Sequence, residues 1–459
     1  MSDSNYFTEA DPARITREFP LGARFDEMLR TCSADELHAL KECRFLEVVK
    51  RAWDVPFYAR RWRAAGLEPG AITSLSQLSD IPAFDKSTLM ESIAEHPPFG
   101  DFHGMDDLPG TTRRQVILHT TSGTTGAPQP LFFGAWDREV QNALLARVYR
   151  MHGIRDDDVV HSVYGFGMVN GGHFVREALT HFTRALVLTP GTGAETPSVR
   201  QVQMMAHFGV TVLVGFADYL LRLAEVAHEQ GLRPGRDLKV RLLSGHIPQA
   251  RQAQLQAAWG GAEVRDWYGV GDTGVIAAQV PCEEGLLLFE DAHAVEIVDP
   301  KSHAEVPAGQ PGNQCVTVLF KNTVYPIVRF DTQDVSALLP PSYGAFRRTA
   351  GFLGRSDNMV KLRGINVYPT AIAGLLDNWP EATGEYLCRV QTRGAVDEMV
   401  VQIEWAGPEP SAAADNVATT LREVLGVRVS VELCAPGSTA DWTEIETRQK
   451  PRRLRDERS

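Results

Sequence analysis

Cationic excess, long apolar runs, paired cysteines and internal repeats are all missing from this 459-residue chain. Acidic residues outnumber basic ones, 58 against 46, for a net charge of −12. That balance gives no broad positive field, which argues against sequence-independent nucleic-acid binding but leaves room for a local basic cleft around a small anion. No apolar stretch approaches the ~18 residues of a membrane span. The most apolar runs, Val210–Phe216 and Gly285–Phe289, are the size of strands. The segment Met1–Tyr6 lacks the basic-then-apolar layout of a secretory signal, so a cytoplasmic location is expected. The six cysteines (Cys32, Cys43, Cys282, Cys315, Cys388 and Cys434) form no C-x-x-C pair, which suits reduced thiols better than a disulfide framework. No period of roughly 20–50 residues recurs, so solenoids and propellers are excluded. There is no Gly-x-Ser-x-Gly elbow of the kind that carries a hydrolase nucleophile.

What is present is ordinary globular material, 43% hydrophobic and 23% charged, long enough for a prior of about two to four domains. The first third reads as helical. Ser33 followed by Glu36 is a capping signal for a helix running to about Trp53, and a second helix is expected over Trp136–His152. In the middle, β-rich runs at Val159–Val163, Ala185–Thr189, Val210–Val214 and Val240–Ser244 alternate with helical patterns such as Val199–His207 and Ala217–Glu229. That alternation predicts a layered α/β fold with a largely parallel sheet. From Leu286 to Leu338 the pattern becomes antiparallel, with strands expected at Ala294–Val298, Cys315–Phe320 and Val335–Leu338. The cluster Gly354-Arg-Ser-Asp-Asn358 reads as a turn and a domain boundary. Beyond it, strands (Val400–Glu404, Arg428–Leu433) and helices (Thr370–Asn378, Ala412–Val424) suffice for a small α+β domain. The Arg-rich end, Thr443–Ser459, reads on composition as a solvated tail.

Four segments carry chemistry. His119-Thr-Thr-Ser-Gly-Thr-Thr-Gly-Ala-Pro128 follows a short predicted strand, Val116–His119, and crowds the hydroxyls of Thr120, Thr121, Ser122, Thr124 and Thr125 between Gly123 and Gly126. Such a stretch turns several N–H groups and neutral donors toward one anion, though it lacks the Lys-Ser/Thr ending of a Walker loop. Asp266-Trp-Tyr-Gly-Val-Gly-Asp272 offers aromatics for a base and a carboxylate for Mg²⁺, although taken alone it reads better as a strand-end turn with a solvated acid. Tyr325-Pro-Ile-Val-Arg-Phe-Asp-Thr-Gln-Asp334 places Asp331 and Asp334 after a strand, again as turn acids on their own. Gly354 to Pro369 puts charges around a β-run with a bend at Gly364.

In this order and at these separations the segments resemble the phenylacetate–coenzyme A ligase family of the adenylate-forming superfamily. The likeness extends to Val55-Pro-Phe-Tyr-Ala-Arg60, Ile81-Pro-Ala-Phe-Asp-Lys86, Tyr164-Gly-Phe-Gly-Met-Val-Asn-Gly-Gly172 and Gln449-Lys-Pro-Arg-Arg-Leu454. It implies a large N-terminal α/β domain with a β subdomain over residues 1–355 and a small mobile α+β domain over 356–459. It further implies an enzyme using ATP, Mg²⁺ and coenzyme A, acting on a small carboxylic acid as a monomer or homodimer. Thr121, Ser122, Gly123, Thr124, Thr125 and Gly126 would hold the ATP phosphates. Ser244, Gly245, His246, Asp266, Trp267, Tyr268 and Gly269 would enclose adenine. Asp334 and Arg355 would hold the ribose, Asp357 would be the hinge, and Asp272 would bind Mg²⁺.

The resemblance makes Lys450, Thr125 and Asp272 the expected catalytic residues and turns the Arg-rich end into catalytic equipment. A carboxylate and the α-phosphate repel one another, so they must be aligned and their charge neutralised, by Lys450 and Mg²⁺ in this scheme. Rotation about Asp357 would then withdraw Lys450 and bring Lys361–Pro369 to the site for attack by a thiol. Tyr164, Phe166, Met168, Asn170, His173 and Phe216 would line the acyl pocket. The two polar members suggest a hydroxy- or amino-bearing aromatic acid; facing solvent or capping a turn is the plain alternative for both. Three departures from the family pattern stand out: Gly271 and Asp272 stand where Ser or Thr and Glu are usual, Ala127 where a basic residue is common, and Gln449 where Gly is usual. Two alternatives stay open: transfer to a carrier-protein thiol or an amine, and, motivated by Gly271, Asp272 and Ala127, a nucleotide-binding regulator that has lost catalysis. Cys282 and Cys315 lack the spacing of a structural zinc site.

Overall fold

Valine- and leucine-rich runs too short for helices become strands, and the amphipathic segments between them become the helices that cover the sheet. The protein is seen here as a computed structural model that describes residues 5–105, 115–121, 128–281, 283–340, 344–356, 360–362, 365–367, 369–376, 378–393, 396–407, 413–425, 427–443 and 451–458. The N-terminal helices include Ala34–Trp53, which opens as expected: Ser33 Oγ accepts from the Glu36 N–H, and Glu36 Oε2 accepts from the Ser33 N–H at 2.9 Å. A hairpin of β1 (Val116–Thr120) and β2 (Pro130–Gly134) follows, with Thr120 opposite Pro130.

The strands β3 (Val159–Ser162), β4 (Leu186–Leu188), β5 (Val212–Phe216), β6 (Leu242–His246) and β7 (Glu263–Val270) are those of the alternating region. They lie side by side in the order β4-β3-β5-β6-β7, all parallel. The sheet continues antiparallel through β8 (Gly274–Gln279) and β9 (Leu286–Leu288). A second sheet holds β10 (His293–Val298), β11 (Gly312–Val318) and β12 (Phe330–Ser336). A two-residue strand, β13 (Arg348–Thr349), pairs back onto β9, and β14 (Gly354–Arg355) pairs with β12.

Two expectations need correction here. Asp331 and Asp334 do not follow a strand; they lie within β12, which starts five residues earlier than the apolar pattern at Val335 suggests. The two aspartates are poor strand formers, but pairing with β11 on one side and β14 on the other overrides that preference. Gly354 and Arg355, expected in a turn, supply the β14 side of that pairing. Tyr325, Arg329 and Gln333 carry positive φ of 50°, 61° and 60°, a left-handed backbone rarely adopted by residues with side chains.

The helix Ala135–Met151 runs through the interior and buries every residue from Ala135 to Tyr149. Its charges are accordingly paired. Arg147 makes a bidentate contact with the buried carboxylate of Asp291 (2.9 and 2.8 Å), and Arg138 Nε donates to Glu177 at 2.6 Å. The C-terminal region forms its own core around Tyr386, Val390, Val401, Ile403, Val417 and Leu421. Its four-stranded sheet has the order Ser430–Cys434, Val396–Trp405, Ala382–Arg393, Leu454–Asp456, with the helix Ala413–Leu425 alongside. The Arg-rich end is therefore not simply a solvated tail: Leu454–Asp456 is an edge strand parallel to Cys388–Val390. Among the described residues no helix is long and apolar enough to cross a membrane.

Candidate active site

In an open parallel sheet the carboxyl ends of the strands are where loops can converge on a ligand. Here those ends deliver Tyr164 just after β3, Phe216 at the end of β5, Ser244 to His246 at the end of β6, and Asp266 to Tyr268 within β7. Four of these side chains pack together. The Phe216 and His246 rings stack at 4.8 Å and 16°, His246 lies 4.1 Å from Trp267, and Tyr164 meets Phe216 at 4.9 Å. Tyr164 Oη is hydrogen-bonded to His246 Nδ1 at 2.7 Å, a polar handle inside an aromatic wall. Ser244 faces inward instead, with Oγ 2.8 Å from His152 Nδ1. Gly245 permits the arrangement: a Cβ there would run into the Gly215 carbonyl oxygen of the neighbouring strand.

The acids sit in specific cradles. Asp266 Oδ1 accepts the Ile247 N–H at 2.8 Å, and burial raises its pKa well above the usual carboxylate range, opposed by backbone donors. Asp334 is held from two sides, Oδ2 accepting from Tyr268 Oη (2.8 Å) and Oδ1 from Arg355 Nη1 (2.9 Å). The pairing of Asp334 with Arg355 across β12 and β14 brings the latter pair together.

Asp272 is not a solvated turn acid. It is 5% exposed, and both Gln129 Nε2 (2.6 Å) and Tyr325 Oη (2.5 Å) donate to its Oδ1, while its carbonyl accepts from Lys321 Nζ at 3.3 Å. Lys321 is itself buried, 4.1 Å over the Tyr325 ring; desolvation pulls its pKa down to about 8 despite the carboxylates of Asp137 and Asp272 nearby. A buried carboxylate whose donors converge on one oxygen suits a hard oxygen-seeking cation such as Mg²⁺ at the other.

The hydroxyl-rich stretch connects to this cradle. Thr121 N–H donates to the Gln129 carbonyl (3.1 Å), and Lys86 Nζ donates to Thr121 Oγ1 (3.4 Å). Ser122, Gly123, Thr124, Thr125, Gly126 and Ala127 lie outside the described residues, as do Cys282, Asp357, Gly364, Gln449 and Lys450. Among the described residues no group of three or more His, Cys, Asp or Glu side chains could hold a metal ion.

The expected acyl-pocket residues divide. Tyr164 and Phe216 belong to the aromatic wall. Phe166 and His173 form a second group, 5.2 Å apart, in which His173 stacks on His119 at 4.7 Å and donates from Nε2 to the Gly167 carbonyl. Met168 is 55% exposed and outside both groups. Asn170 is buried, its Oδ1 accepting from Arg138 Nη1 at 2.6 Å. His119, which burial and the charges of Arg138 and His173 bring down to about 4, was not singled out from the sequence, nor were Gln129, Tyr325, Lys321 and Lys86. His119, Tyr325 and Lys86 stand at the ends of segments already noted; Gln129 and Lys321 leave no local signal.

Comparison with known proteins places the chain in a family. The AMP-binding enzyme family matches residues 70–318, and the AMP-binding enzyme C-terminal domain matches residues 364–458. The second match spans the region whose own core gathers around Tyr386, Val390, Val401 and Leu421. A phenylacetate–coenzyme A ligase of Aromatoleum evansii is 30% identical over 429 residues, 89% of this chain and 93% of that protein. One of Pseudomonas putida is 31% identical over 390 residues, 82% and 83% respectively. The solved structure of 2-hydroxyisobutyryl-CoA ligase with 2-HIB-AMP in the postadenylation state superposes with a TM-score of 0.82 at 28% identity, covering 94% of this chain and 92% of that one. The same ligase with 2-HIB-AMP and coenzyme A in its thioesterification state gives 0.66 over the same shares. The chain belongs to the phenylacetate–coenzyme A ligase family of adenylate-forming enzymes. It is an AMP-forming acid–coenzyme A ligase: ATP activates a carboxylic acid, coenzyme A takes the acyl group, and Mg²⁺ is the usual partner of the ATP.

Proposed function

We propose that the acid is aromatic and carries a polar substituent. The observation that carries this reading is the wall of Tyr164, Phe216, His246 and Trp267, whose hydrogen-bonded Tyr164–His246 pair gives an otherwise apolar surface one polar handle. A flat ring stacks on such a wall, and a hydroxyl or amino group meets the handle. The curated relatives named above, both phenylacetate ligases, support a ring. A second reading, a short hydroxy acid, is supported by the close superposition on a ligase of 2-hydroxyisobutyrate. Pyrophosphate exchange across phenylacetate, hydroxy- and aminobenzoates and 2-hydroxyisobutyrate separates the two. Fastest exchange with 2-hydroxyisobutyrate would remove the aromatic reading.

The remaining roles follow from charge. Asp334, held by Tyr268 and Arg355, accepts the ribose hydroxyls. Asp266 and the end of β6 border adenine, with the Asp266 carboxyl toward the exocyclic amine. Thr121 to Gly126 receive the triphosphate, and Thr125 helps to orient the leaving pyrophosphate. Asp272 provides the metal's protein ligand; when bound, Mg²⁺ neutralises phosphate charge and polarises the P–O bond. Lys450 stabilises the charge that develops as carboxylate attacks the α-phosphate. The domain division at 355/356 and a hinge at Asp357 let one chain serve both half-reactions. Coenzyme A is the acceptor in this reading, and an acceptor screen with coenzyme A, a phosphopantetheinyl carrier and amines tests it. The reaction belongs in the cytoplasm, where ATP and coenzyme A are at hand.

A further inference from the structure

The C-terminal unit meets the large domain beside the acyl wall, through a small set of charges. Asp218 lies in the first turn of the helix Ala217–Glu229, two residues after Phe216. Its Oδ1 accepts from Arg251 Nη2 at 3.0 Å, and its Oδ2 lies 3.6 Å from Arg453 Nη2. Arg453 is 90% buried at its side chain and grips the C-terminal unit firmly: its guanidinium donates to Glu385 at 2.7 and 3.1 Å and to the Tyr386 carbonyl at 3.1 Å, and sits 4.7 Å over the Tyr386 ring. The approach around this point is close. A Cβ at Gly374 would overlap that of Ala250, and one at Gly384 would lie 3.0 Å from Arg251 Nη1. Glycine at both positions lets the two surfaces meet near the Asp218 carboxylate.

The backbone on the far side of Arg453 matters as much. Arg452 N–H donates to the Thr443 carbonyl at 3.0 Å, and Cys388 N–H donates to the Arg453 carbonyl at 2.9 Å. Arg452 and Arg453, which follow Lys450 closely in sequence, are thus tied to Thr443 and to the C-terminal sheet. The side chain of Arg453 is the one that reaches across to Asp218. The chain superposes better on a relative in its postadenylation state (TM-score 0.82) than on the same relative in its thioesterification state (0.66), so the contact occurs in an arrangement nearer to the former.

We propose that Asp218 is a positioning residue for adenylation, holding Arg453 so that the segment bearing Lys450 is presented to the α-phosphate. This rests on the reading that Lys450 serves the first half-reaction. Asp218 touches neither substrate nor nucleotide in this scheme; it acts through Arg453. Release of the pair frees the C-terminal unit for the second step, so losing it weakens adenylation and spares thioester formation.

The test measures the half-reactions separately on the full-length enzyme: pyrophosphate exchange with the fastest acid of the panel, and thioester formation from that acid's synthetic adenylate plus coenzyme A. Asp218→Asn is expected to slow exchange about 10- to 50-fold, the scale of breaking a partly buried ion pair, and to leave thioester formation within about twofold. Asp218→Glu restores most of the exchange. Arg453→Gln behaves like Asp218→Asn, and the double variant loses no more than the worse single one. Equal loss in both half-reactions, or fully additive losses in the double variant, would overturn the proposal. Lys450→Ala run alongside distinguishes the layers. If it leaves exchange intact, the reading beneath the proposal fails; if it abolishes exchange while Asp218→Asn does not slow it, only the proposal fails.

Discussion

Replacing Tyr325 by Phe removes one hydroxyl from the cradle of Asp272 and little else. The ring stays 5.2 Å from Phe102 and beneath Lys321, so apolar packing and the cation–π contact persist. What disappears is an O–H donating at 2.5 Å to a carboxylate that is 5% exposed. A hydrogen bond to an ionised group contributes about 1.5–3 kcal/mol, which is roughly 10- to 150-fold in an equilibrium. Gln129 continues to donate to the same oxygen, so the lower half of that range is expected. The carboxylate is then free to swing, and the cation site loosens before the fold does. The assay is pyrophosphate exchange against Mg²⁺ concentration, with melting temperature as the control. The expected result is a half-saturating Mg²⁺ concentration raised about tenfold or more, with the melting temperature lower by only a few degrees. An unchanged Mg²⁺ dependence would refute the assignment of Asp272 to the metal; a collapse in stability would recast Tyr325 as structural.

Asp334→Asn removes the charge that Arg355 pairs with, and should weaken ATP and AMP binding about 10- to 100-fold while sparing pyrophosphate; calorimetry showing pyrophosphate equally weakened would contradict the ribose role. Gly245→Ala forces a methyl into the Gly215 carbonyl across β5 and β6, and should cost about 3 kcal/mol by urea denaturation; a loss below 1 kcal/mol would show that the strands can part. Acid should destabilise the enzyme above the carboxylate range. Burial holds His161 and His293 near 4 and His152 near 3, below the ordinary 6.5, so the unfolded chain binds more protons as pH falls from about 6.5 toward 4. Each such imidazole removes up to about 1.4 kcal/mol of stability per pH unit in that window, and no more once the folded form titrates too. His181, raised by its bond to Glu139, works in the opposite sense, losing its stabilising contribution as pH rises through its folded pKa. Urea midpoints that stay level from pH 7.5 to 5 would be incompatible with neutral buried histidines.

The parallel sheet was legible because each of its core strands is a short run of β-branched or leucine residues separated by a full amphipathic helix. The periodicity at Ala217–Glu229 even locates that helix to the residue. The acids of the site were legible as residues but not as environments. Asp272 reads locally as a turn carboxylate because its donors, Gln129 and Tyr325, lie 143 and 53 residues away. Local sequence carries no trace of a partner that arrives only when β1 and β2 fold beside β7 and β8. The same holds for Asp334, whose strand is flanked by β11 and β14, and for Asn170, whose amide is committed to Arg138 on the central helix. The family resemblance is what drew attention to these acids; the packing explains how they are restrained.

Three residues with side chains, Tyr325, Arg329 and Gln333, occupy a backbone that glycine would adopt without strain. Each such position costs on the order of 1–2 kcal/mol. Glycine at 333 would ease the backbone, but would delete the amide that donates to Asp85 and accepts from Arg355, uncoupling the neighbour of Asp334 from the helix that starts at Lys86. Substitutions chosen only to make this ribbon sturdier would therefore select against the connections that make it useful, and a screen for heat tolerance alone should drift toward an idle enzyme along these nine residues.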